Sequence, residues 1–84
     1  MFENIRHFSP KHLAANPLIP DPRHAKIHQQ YTSQDKKYKL TQTHQASRSY
    51  MFLYLKGKLH SVYEMPRDIA EKAFEIQKAS LEQL

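Results

Sequence analysis

His24 and His28 stand four residues apart, the spacing that sets two imidazoles on one helix face where they can share a metal ion. The residues between them are Ala25, Lys26 and Ile27, so the glutamate that serves as general base in a zinc-peptidase helix is missing. A third ligand would have to come from His7, His12 or His44, and a chain without cysteine has no thiolate to close the shell. The six histidines are therefore expected to be ordinary surface residues, with no metal and no other cofactor.

Nucleophilic catalysis has as little to work with. A serine nucleophile needs a base beside it and backbone N–H groups arranged to hold an oxyanion. The serines Ser9, Ser33, Ser47, Ser49, Ser61 and Ser80 have no glycine-rich elbow around them, since the chain has one glycine. That same count excludes P-loops and dinucleotide-binding turns. RNase-type chemistry needs only His, Lys, Arg and Tyr, which leaves His44, Arg48, His60 and Tyr63, joined by no motif. Paired carboxylates are also missing, because five of the eight acids sit in or beside the last helical segment. The expectation is a protein without catalytic residues.

Basic side chains interleaved with aromatics are the remaining signal. Lys36, Lys37, Tyr38 and Lys39 form one cluster, and Arg48, Tyr50, Tyr54, Lys56 and Lys58 another. Lysine and arginine neutralise phosphates, while tyrosine stacks on exposed bases. The candidate nucleic-acid contacts are Lys36, Lys37, Lys39, Arg48, Lys56 and Lys58. Should the target instead be a protein, Tyr50, Tyr54 and Tyr63 are the candidate contact aromatics; the plainer reading makes them core residues with a hydroxyl at the surface.

The charge of the whole chain agrees with either partner. Thirteen Lys and Arg against eight Asp and Glu give a formal +5, divided as +7 over residues 1–60 and −2 over residues 61–84. A basic two-thirds joined to an acidic tail suits nucleic acid or an acidic protein surface. No apolar run approaches the length of a membrane span, and Met1-Phe2-Glu3-Asn4-Ile5-Arg6 lacks a signal-peptide layout. A cytoplasmic binding protein acting on nucleic acid, or on a complex that handles it, is the reading that follows. The competing class is a protein-interaction module, such as a phage or mobile-element inhibitor of a host defence machine.

The elements that must position these residues are those of one small domain of 84 residues, with little surface to bury and no disulfide to staple it. Residues 1–35 read as an irregular, proline-containing arm. Ser9-Pro10 can open a short helix over 10–16, Pro17, Pro20 and Pro22 forbid regular ladders, and residues 23–37 read as a solvated linker or a weak helix. This arm is expected to wrap the sheet, to order on a partner, or to swap into a homodimer. Residues 36–84 form the core. Lys39–Gln45 alternates as an edge strand, Tyr50–Leu55 is a central strand buried on both faces, and Lys58–Met65 returns after a turn at Lys56-Gly57. A two-residue loop there pairs Leu55 with Lys58 and Tyr54 with Leu59; a loop one residue longer pairs Phe52 with Val62. A helix over 66–83 follows, its stripe made by Ile69, Ala70, Ala73, Phe74, Ile76, Leu81 and Leu84. The predicted fold is α+β, a three-stranded antiparallel sheet packed by a C-terminal helix.

In element order, residues 38–84 resemble the small β-sheet DNA-binding modules of integrase arm domains and plant AP2 domains, through the Lys56-Gly57 turn and a helix carrying Ala70 and Ala73. The approach to the helix through Met65-Pro66 also resembles the short KTSC domain, without that family's later glycine.

Overall fold

The computed structural model describes residues 5–12 and 19–83. Its central element is a five-stranded antiparallel sheet in the order β1-β5-β4-β3-β2. The strands are β1 (Arg6–Phe8), β2 (Gln29–Thr32), β3 (Tyr38–Gln45), β4 (Arg48–Leu55) and β5 (Lys58–Pro66). A 3₁₀ turn over Arg67–Ile69 leads into the one α-helix among the described residues, α1 (Ala70–Glu82). The α+β class holds, but the three-stranded sheet is corrected to five strands, and both added strands come from the arm.

These two strands were hidden for a physical reason. A strand on a sheet edge satisfies its backbone through one neighbour and needs few apolar side chains. In β2 only Tyr31 is apolar, and it lies opposite Leu40, packed against the helix-side core. Gln29 lies opposite Gln42 on the same face, while Gln30 and Thr32 turn to solvent. Residues 23–37 are thus not a continuous linker. With β2 outside it, β3 becomes an interior strand rather than an edge.

At the opposite margin β1 pairs with β5, Phe8 facing Val62 and Arg6 facing Glu64. Ile5 joins the helix-side core and Phe8 the core on the other face, as an odd separation in an extended chain requires. Phe2 and most of the segment read as helix over 10–16 lie outside the described residues, which show a 3₁₀ turn at Pro10–His12.

β4 is the central strand, buried on both faces as its apolar run predicts. Met51 and Leu53 point toward α1 with Leu40 and Met65, whereas Tyr50 and Phe52 point away with Val62 and Ile19. Each hairpin register read from the sequence occupies part of the β4–β5 ladder. Leu55 pairs with Lys58 and Tyr54 with Leu59 at the tip; beyond a register shift, Leu53 pairs with Ser61 and Phe52 with Val62. His60 is the extra residue of this bulge. It lets a tight turn coexist with the register that buries Val62.

The helix begins later than Pro66, which still belongs to β5. Its buried residues are Ala70, Ala73, Phe74 and Leu81. Ile76, placed on the stripe by the sequence reading, is 51% exposed; it stands about 200° around the helix from Phe74. Leu84 lies outside the described residues. One polar side chain binds α1 to the sheet. Gln42, fully buried on β3, accepts from Gln29 Nε2 at 2.6 Å and donates to the Ala70 carbonyl at 2.8 Å.

Candidate polyanion-binding surface

Two turns meet at one end of the sheet. The chain between β2 and β3 is closed by Asp35, whose Oδ1 accepts from Ser33 Oγ at 2.7 Å and from the Lys37 N–H at 3.0 Å. Ser33 Oγ in turn accepts from the Tyr38 N–H at 3.0 Å. Lys36 takes the left-handed conformation that completes the reversal, φ 61°. The hydrogen bond from Ser33, then that from Lys37, holds the Asp35 carboxyl below its ordinary range. The acid nearest the lysines in sequence is thereby engaged in shaping the turn.

The β4–β5 turn places Lys56 at φ 52° and Gly57 at φ 82°. Positive φ at both central residues is the type I′ geometry that matches strand twist. Lys56 donates its backbone N–H to the Lys37 carbonyl at 2.7 Å, so the two turns are joined directly. Lys39, one residue into β3, faces Tyr54 across the ladder, and its Nζ lies 5.7 Å from the ring centroid.

Lys36, Lys37, Lys39, Lys56 and Lys58 are all exposed at this end. Among the described residues none of the five is in an ion pair. Arg48 does not join them: it is exposed at the far end of β4, opposite Gln45 and Pro66. Nor do the tyrosines form one surface. Tyr50 is 3% exposed and donates its hydroxyl to Glu64 Oε2 at 3.1 Å, and burial followed by that hydrogen bond raises its pKa. Tyr54 is half-buried at the lysine end, and Tyr63 is half-buried on the helix side, stacked on His7 at 4.9 Å.

The acids of the C-terminal segment are divided between the two ends of the sheet. Asp68 and Glu71 stand at the far end, near the start of α1, but Glu82 joins Asp35 around a hollow beside the β2–β3 turn. The basic surface is therefore open mainly toward the β4–β5 turn and away from α1.

The residues with catalytic or metal-binding character are scattered. His24 lies in a turn and His28 just before β2, so their four-residue spacing is not helical. His28 instead meets His44, with ring centroids 4.0 Å apart. His28 Nε2 is 4.0 Å from Glu71 Oε1, and His44 Nδ1 is 3.1 Å from Ser49 Oγ. Burial first, then the His28 and Arg67 charges, holds the His44 imidazole below its ordinary pKa against an opposing pull from Glu71. Ser49 has a histidine within hydrogen-bond reach, but it is fully buried and donates to the Thr43 carbonyl at 3.3 Å. His60 lies at the bulge, bonded to Ser61 Oγ at 2.8 Å. His44 and Arg48 thus flank the β3–β4 turn, while His60 lies toward the opposite end of the sheet and Tyr63 pairs with Met51 between them. Among the described residues no three His, Cys, Asp or Glu side chains are grouped to hold a metal ion.

The pair His28–His44 and the buried Gln42 were missed from sequence. Their only signal is alternation: Gln42 and His44 share the face of Leu40, which the fold turns toward α1.

Among the described residues no helix is long and apolar enough to cross a membrane. Comparison of the chain with protein-family models, with curated proteins and with solved structures finds no match. The resemblance to integrase arm and AP2 domains that the element order of residues 38–84 suggested is supported by none of these comparisons, and the sheet carries two further strands.

Proposed function

We propose that this chain is a small non-enzymatic binding protein whose lysine-rich end holds the phosphates of a nucleic acid, in the cytoplasm, either alone or within a complex that handles nucleic acid. The observation that carries this reading is the direct bond between the Lys37 and Lys56 backbones. It fixes two lysine-bearing turns side by side, so that charges distant in sequence act on one polyanion. Five cations brought together cost self-repulsion, and a bound polyanion relieves it.

The same surface would suit an acidic protein, the target expected of a phage or mobile-element inhibitor. Salt separates the two. A protein that neutralises phosphates loses affinity with log salt at a slope of about −0.7 to −0.9 per contact. Titration of a labelled oligonucleotide between about 50 and 200 mM salt should give a slope of about −3.5 to −4.5 for the five lysines. Absence of binding at the low-salt limit, at tens of micromolar protein, would shift the assignment to a protein partner. A stoichiometry of two chains per strand would add the homodimer.

A further inference from the structure

Beside the lysines lies a cleft of about 590 Å³ whose walls include Pro10, Ile19, Pro20, Pro22, Tyr54 and Leu59. That volume falls within the roughly 300–1,000 Å³ of small-ligand clefts. Its one carboxylate, Asp21, is engaged: it accepts from Arg23 Nε at 3.2 Å, from Arg23 Nη2 at 3.0 Å and from the Arg23 backbone N–H at 2.9 Å. These hydrogen bonds bring its pKa down to about 2. Cationic charge lies beside it: Lys39 Nζ stands 5.7 Å from the Tyr54 ring centroid, and Gly57, which follows Lys56 in the β4–β5 turn, lines the cleft.

We propose that this cleft receives a nucleobase from a single strand, against Tyr54 and the proline wall, while Lys39 and Lys56 hold the flanking phosphates. An apolar hollow with an aromatic ring and a cationic margin complements a flat base on an anionic backbone. Bases inside a duplex are stacked and cannot enter without being unstacked, so the site selects single strands. This inference rests on the phosphate-binding reading and adds a ligand class and a base-contacting residue to it.

The test compares three probes of equal length by fluorescence anisotropy: a mixed-sequence single strand, an abasic strand with the same phosphates, and a duplex. The single strand is expected to bind about tenfold more tightly than the abasic strand, the scale of one base stacked on an aromatic ring. Tyr54→Leu, which keeps apolar volume in the cleft, should erase that difference, and Tyr54→Phe should retain it. Thermal melts establish that both variants are folded. Equal affinity for the base-bearing and abasic strands would overturn the cleft assignment while leaving phosphate binding intact. Failure of all three probes to bind would overturn both.

Discussion

The backbone N–H of Lys56 and the carbonyl of Lys37 meet at 2.7 Å, joining the turn before β3 to the turn after β4. Eighteen residues separate the two lysines in the chain, and antiparallel pairing of Tyr38 with Leu55 brings them together. The positive surface therefore depends on the geometry of the turns.

That geometry gives two substitutions of opposite sign. A Cβ at Gly57 would meet nothing within 4 Å, but its φ of 82° is strained for any L side chain. Gly57→Ala should therefore cost about 1–2 kcal/mol. Ala46, in the β3–β4 turn, holds φ 55° without being glycine, so Ala46→Gly should raise stability by about 1 kcal/mol. Urea denaturation of the two variants reads both directly, and a loss of stability in Ala46→Gly would contradict the strain assigned to that turn.

Gln42, itself fully buried, joins β2, β3 and α1 through two hydrogen bonds. Gln42→Leu should cost about 1–3 kcal/mol, because Gln29 loses the acceptor for its amide donor in a partly buried position. Chemical denaturation measures the loss. Hydrogen exchange should show it first in β2, as earlier opening of the amides that pair with β3.

Acid should weaken the fold through His44. Its imidazole pKa lies below the ordinary value, so the unfolded chain takes up a proton more readily than the folded one. Stability is then fully present above the unfolded value of about 6.5 and falls as pH drops toward the folded pKa. His44→Gln should flatten the dependence in that window. Thermal melts from about pH 5 to 8 check it, and an unchanged pH profile in the variant would place the titrating group elsewhere.

How far the sequence could be read follows from how each element is stabilised. β4 declares itself through a run of apolar residues buried on two faces, and the α1 stripe through Ala70, Ala73, Phe74 and Leu81. The edge strands β1 and β2 rest on backbone pairing, which leaves almost no mark on side-chain composition. The bulge at His60 was equally hidden, because two registers were each consistent with part of the hairpin. Among the site residues, Lys36 to Lys39 were adjacent in sequence, but only the ladder shows that Lys56 and Lys58 join them and that Arg48 does not.

The most direct test of the central claim contrasts, at equal charge, the lysine end of the sheet with Arg48 at its far end and Lys72 on α1. Lys37→Glu with Lys58→Glu, and Arg48→Glu with Lys72→Glu, each lower the net charge by four, from +5 to +1. Affinity for a single-stranded oligonucleotide is measured for both variants at about 50 mM salt, where phosphate contacts are strong. Binding should fall by at least about a hundredfold in the first variant, with its melting temperature nearly unchanged. In the second it should fall only a fewfold, as net charge alone dictates. Equal losses in the two variants would show that no localised lysine surface exists, and the account of the joined turns would be wrong.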